Sequence, residues 1–132
     1  MSDKLIAAAK AAFLETEHGG GCSVSPKDFT SPTSGYMVGG WASECKLKAS
    51  KGRTVAELEA EFIDWFIDYV NSANIVASGL HLPTYVGTWV EDGDIVFDVA
   101  VCIEDKAEAL QTAEDLGERA IYDVSKKETL YV

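Results

Sequence analysis

Residues 85 to 103 alternate on either side of Asp92-Gly93, and this pattern leaves little freedom in how the chain folds. Successive strand residues point to opposite faces, and Asp-Gly takes the type I′ turn whose twist suits a hairpin. A two-residue loop pairs Val90 with Ile95 and Thr88 with Phe97. One face then holds Val86, Thr88, Val90, Ile95, Phe97, Val99, Val101 and Ile103, a core side. The other holds Tyr85, Gly87, Trp89, Val96, Asp98, Ala100 and Cys102. The expected strands are 85–91 and 94–103, with Phe97 and Val99 buried.

Helices are expected on both sides of this hairpin. Residues 3–17 place Leu5, Ile6, Ala9, Ala12 and Phe13 at three- and four-residue steps, and Gly19-Gly20-Gly21 supplies the left-handed cap that ends a helix. Thr54 and Glu57 form a capping box at the start of a second helix, expected to run to about residue 72. Val55, Leu58, Phe62, Trp65, Phe66 and Tyr69 share one face of it. Ile63, Ile67 and Val70 widen that face to roughly 200°, twice an ordinary apolar stripe. Such a helix is either buried on two sides or part of an oligomer contact. Asp105 caps a third helix with Ala107, Leu110, Ala113 and Leu116 inward and Gly117 at its end.

The remaining segments are shorter. A Gly/Ser/Pro/Thr-rich stretch from about 19 to 35 is expected to be a mobile loop. Residues 36–41 are expected to form a strand weakened by Gly39 and Gly40, and the basic segment 46–53 a loop. Strands are expected at 120–124 and 129–132. The order α-β-α-β-β-α-β-β predicts one α+β domain: a mostly antiparallel sheet of four to five strands with about three helices packed against it.

Charge narrows the function classes. From Met1 to Arg53 seven Lys/Arg face five Asp/Glu; from Thr54 to Val132 four face 17. With a net charge of −11 the chain is unsuited to binding nucleic-acid phosphates or anionic membranes directly, and it attracts basic partners. The start Met1-Ser2-Asp3-Lys4 lacks the regions of a secretory signal, and three widely spaced cysteines suggest free thiols, so a cytoplasmic setting is expected.

The most ordered acidic feature lies on the second helix. Glu57, Glu61, Asp64 and Asp68 fall within about 60° of one another, opposite the aromatic face, and contain three like-charge neighbour pairs. Together these pairs cost about 1 kcal/mol, with no cation interleaved on the helix. Such a line is either a solvated face or a surface that meets a basic patch. A second candidate surface is Tyr85, Trp89 and Asp98 on the other face of the hairpin. A carboxylate in mid-strand is locally unfavourable, although a solvent-facing position accommodates it. Asp123 is a second mid-strand acid, and two such groups in one cleft are able to do acid–base work.

No metal or cofactor is expected. Glu91-Asp92-Gly93-Asp94 is a charged turn without the ligand spacing of a calcium loop, and His18 and His81 are too far apart for a zinc motif. Cys22, Cys45 and Cys102 lack the helix N-terminus or adjacent cation that activates a thiol. Walker, dinucleotide-binding and nucleophile-elbow motifs are absent from the sequence.

Two segments carry a resemblance: Ser31-Pro32-Thr33-Ser34-Gly35-Tyr36-Met37-Val38, and the run from Tyr85-Val86-Gly87-Thr88-Trp89 through Ala120-Ile121-Tyr122-Asp123-Val124. They resemble small uncharacterised accessory proteins of actinobacterial phages and prophages. Those share a Ser-Pro-Thr-x-Gly-Tyr start, a Gly-Thr-Trp hairpin and an Ile-Tyr-Asp-type strand after a helix. The resemblance implies a setting in a mobile element and a partner among host or phage proteins; its motifs are structural.

The combined expectation is a small acidic binding protein that presents negative charge to a basic protein surface, as an inhibitor or nucleic-acid mimic. One alternative is a small hydrolase or transferase using Asp98 near the Gly/Ser loop. Another is an oligomeric assembly protein, such as a homodimer through Ile63, Ile67 or Val70.

Overall fold

A computed structural model describes residues 2–48 and 53–132 of the chain. These residues form three helices and seven strands: α1 (Asp3–Gly19), β1 (Gly21–Val24), β2 (Tyr36–Val38), β3 (Cys45–Leu47), α2 (Val55–Leu80), β4 (Thr84–Glu91), β5 (Asp94–Ile103), α3 (Lys106–Leu116), β6 (Ala120–Asp123) and β7 (Glu128–Tyr131). The fold is α+β, with every described strand pair antiparallel. The order across the sheet is β1-β4-β5-β2-β6-β7, and β3 also pairs with β5.

The helix ends follow the local chemistry. Ser2 caps α1 by accepting the Leu5 N–H at 3.1 Å, and Gly20 ends it in the left-handed conformation at φ 86°. Thr54 and Glu57 complete the capping box of α2, and Asp105 accepts the Glu108 N–H at the start of α3. The second helix is eight residues longer than expected. Asn71 and Ser72 are polar but lie on a helix whose burial continues through Ala73, and the chain stops only where His81 turns left-handed at φ 57°.

The hairpin register is the expected one, with Val90 opposite Ile95 and Thr88 opposite Phe97. All three helices pack on the face that carries Phe97, Val99 and Val101. One part of the core joins α1 and α2 to β3, β4 and β5 through Phe13, Phe62, Phe66, Phe97 and Leu47. Phe97 sits centrally, with ring centroids of Phe62, Tyr69 and Trp65 at 4.9, 5.3 and 5.6 Å. A second part lies under α3 and joins Val38, Val101, Ile103, Ala109, Ala113 and Ile121. Helix α1 is tied to the sheet by a buried polar contact: the Thr16 and Thr88 hydroxyls meet at 2.6 Å, and the Cys22 sulfur lies 3.2 Å from the Thr88 hydroxyl.

Several expectations are corrected. The stretch 19–35 contains β1, which closes one edge of the sheet against β4 because Gly21 allows a close approach to the Thr88 carbonyl. The basic segment begins in β3; residues 49–52 of it lie outside the described residues. Of the expected inward positions of α3, Ala113 is buried and Leu110 packs on the core, whereas Ala107 and Leu116 are exposed and Ala109 takes the inner place. Val90, near the hairpin tip, is 43% exposed. The wide apolar face of α2 is covered on two sides, by α1 and by the sheet, and Val70 is buried within the chain and unavailable to a homodimer contact. Among the described residues no helix is long and apolar enough to cross a membrane.

Candidate functional site

The sheet face that bears no helix holds the most organised polar site, and a break in one strand creates it. Val38 at the end of β2 pairs with Val101, whereas Cys45 at the start of β3 pairs with Phe97. Residues 39–44 therefore stand against 98–100, and the surplus chain loops out as a wide bulge. Such insertions re-aim side chains and allow close approach of backbone. Trp41 returns to donate its N–H to the Val99 carbonyl at 3.3 Å, and its ring packs against both parts of the core. At the far end of the bulge the Tyr69 hydroxyl donates to the Ser43 carbonyl.

Gly39 and Gly40 pass directly over Asp98. The Gly40 N–H donates to Asp98 Oδ2 at 3.1 Å, and the Val99 N–H donates to Oδ1 at 2.8 Å. A side chain on Gly39 would overlap Asp98 Oδ2 and lie 3.1 Å from Glu118 Oε1; Gly40, at φ 91°, has the Glu118 carboxyl on its other side. Two carboxylates thus converge on one pair of glycines. Asp98 is only 4% exposed, which corrects the expectation of a solvent-facing residue: the bulge supplies both its cover and one of its hydrogen bonds. Burial pushes its carboxyl up to about 6, the backbone N–H bonds oppose that rise, and the negative charges of Glu118 and Glu44 add to it. Gly39→Ala is expected to destabilise the fold by about 1–3 kcal/mol, because the new methyl group must displace Asp98. Chemical denaturation measures this; an unchanged midpoint would show that the bulge lifts away freely.

Beside Asp98 the sheet is hollow. Gly87 lies opposite it in β4, and the Trp89 indole leans over that glycine, its Cζ3 3.9 Å from where a Cβ would be. Tyr85, on the other side of Gly87, packs on Met37, Ala100 and Cys102, and burial raises its pKa. The segment around Ser34 crosses this end of the sheet. Its carbonyl accepts the Cys102 S–H at 3.2 Å, its hydroxyl donates to Glu104 at 3.3 Å, and the Gly35 carbonyl accepts the Val124 N–H. Between this crossing segment, the bulge and the β6–β7 hairpin lies an open cleft of about 1270 Å³. Its lining includes Trp89, Asp98, Glu44, Glu118, Tyr122 and Tyr131, with Arg119 and Lys127 as cations.

The acidic line on α2 is less free than its sequence suggests. Glu57 is engaged in the capping box, and the Thr54 N–H bonds hold its carboxyl below the usual range. Glu61 pairs with Arg53, a cation just before the helix that the helical spacing does not reveal. Asp64 and Asp68 remain exposed. Asp123 does not converge with Asp98: it lies on the helix side of β6, where its Oδ1 accepts the Lys126 N–H. All three cysteines are free thiols, and burial raises those of Cys22 and Cys102. Among the described residues no cluster of His, Cys, Asp or Glu is arranged to hold a metal ion.

The residues of this candidate site that the sequence pattern does not single out are Glu118, Glu44 and the Gly39-Gly40 pair. A signal was present: paired glycines inside a strand mark a bulge or a close backbone approach. Compared with protein-family models, curated proteins and solved structures, the chain has no match.

Proposed function

We propose that this chain is a small acidic binding protein that engages a basic protein surface, in the phage or prophage setting that its resemblance implies. One observation carries this: the excess charge is not neutralised internally. Among the described residues, ion pairs engage only Glu61, Glu91 and Asp94 out of 22 acidic residues in the chain. A surface field of this sign steers basic partners and repels phosphate backbones.

Affinity capture from host lysate at two ionic strengths identifies the partner. Association is then expected to slow by about tenfold between low and physiological salt, since steering is screened over about 10 Å at 0.1 M salt. Neutralising Glu57, Glu61, Asp64 and Asp68 together should flatten that dependence and leave dissociation unchanged. The fourfold variant should gain no stability, because it also removes a favourable negative charge at the helix start and the ionic partner of Arg53. A captured partner that is acidic, or whose association ignores salt, would overturn the proposal.

A second reading is favoured by the convergence of Asp98 and Glu118 in one cleft: a hydrolase or transferase in which this carboxyl pair does acid–base work, burial raising the pKa of Asp98. It ranks lower because the Asp98 oxygens are engaged by backbone N–H groups beneath the bulge. Turnover of an ester, glycoside or phosphate substrate that Asp98→Asn abolishes would place it first.

A further inference from the structure

The helix-free cleft has an acidic end and an aromatic wall, and the two adjoin. Asp98 and Glu118 meet around Gly39-Gly40, Glu44 lines the same cleft within electrostatic reach of Asp98, and among the described residues none of the three has an ion-pair partner. Glu91, also on the lining, is neutralised by Lys46 at 3.4 Å. Of the lining cations, Lys127 lies in the β6–β7 turn and Arg119 at the other end of β6, next to Glu118 in the chain. Neither cation forms an ion pair among the described residues, so the carboxylates at the bulge end stay unpaired. The Trp89 indole lies over Gly87, directly across the ladder from Asp98. Tyr122 and Tyr131 line the β6–β7 side of the same cleft and are 39% and 80% exposed.

We propose that this end of the cleft is the docking point for the basic partner, and that its occupant is an arginine-bearing segment of that partner. The inference rests on the function proposed above and assigns it a location. A guanidinium is planar, forks onto carboxylates and stacks on an indole, whereas an ammonium matches the charge alone. Glu118 and Glu44 touch the guanidinium, Trp89 stacks on it, and buried Asp98 adds charge from behind. The acidic line on α2 serves as a remote field, since its outward side bears no aromatic wall.

The test titrates hexa-arginine and hexa-lysine peptides against three variants, with thermal melts to confirm folding. Glu44→Gln with Glu118→Gln and Asp64→Asn with Asp68→Asn remove the same charge from the two surfaces. The cleft pair is expected to weaken hexa-arginine binding by about tenfold at physiological salt, and the α2 pair by no more than about twofold. Trp89→Leu should erase the preference for arginine over lysine; if that variant does not fold, the two charge pairs decide alone. Equal losses from the two pairs, or a larger loss from the α2 pair, would overturn this location and leave the basic-partner function standing. Failure of both peptides to bind even at low salt would overturn the location and the function together.

Discussion

Phe97→Ala is expected to lower the unfolding free energy by about 3–5 kcal/mol, enough to unfold a domain of ordinary stability. Phe97 is wholly buried in mid-strand and faces Phe62, Trp65 and Tyr69 of α2, so the variant removes the aromatic contacts that join the sheet to that helix. Backbone pairing with Thr88 and Cys45 holds residue 97 in place and limits collapse of the cavity. Tyr131→Ala, at an 80% exposed position on the edge strand, should change stability by less than about 0.5 kcal/mol. Urea unfolding of the two variants checks both statements. A Phe97→Ala loss below about 1 kcal/mol would mean that the aromatic cluster is not the centre of the core.

Asp98→Asn is expected to stabilise the protein at pH 7 and to have little effect near pH 4. An ordinary carboxyl titrates near 3.9, whereas Asp98 in the fold titrates at about 6. The folded state therefore binds this proton more tightly than the unfolded chain does. Its favourable contribution is fully present below the unfolded value and is lost as pH rises toward 6. Above that, the difference amounts to about 3 kcal/mol as an upper bound. Asparagine keeps one oxygen for the Val99 N–H, gives up the Oδ2 acceptor of the Gly40 N–H, and carries no charge against Glu118 and Glu44, so a gain of about 1–2 kcal/mol at pH 7 is expected. Asp28 and Glu57 are held below the usual range, mainly by hydrogen bonds to Thr30 and Thr54, and act in the opposite sense at lower pH. Unfolding of wild type and variant at pH 4.5 and pH 7 measures the difference. An equal change at both pH values, or a loss at pH 7, would show that Asp98 is not an unfavourably buried charge.

Such a residue also bears on function. A mid-strand acid that reduces stability at neutral pH is the kind of group found at functional sites, and Gly39, Gly40, Gly87 and Glu118 surround this one. This was only partly legible. The odd placement of Asp98 beside Trp89 and Tyr85 was visible from alternation. Glu118 and Glu44 were not, because each lies more than 15 residues from Asp98 in sequence and reaches it only through the sheet order.

The sequence alone determined the hairpin register, the three helix starts and the face that would carry the core, because these depend on interactions between near neighbours: strand alternation, a two-residue turn, and side chains capping N–H groups three positions away. Tertiary structure alone decided that residues 21–24 form a strand and that α2 continues to Leu80. It also decided that β2 and β3 are two pieces separated by a bulge, and that Asp98 beneath that bulge lies near a carboxylate from beyond α3. A short Gly-rich segment becomes a strand only when an edge is offered to it. The break in a strand is set by what packs on either side, and convergence of like charges runs against local preference and persists only because the rest of the fold holds those residues together.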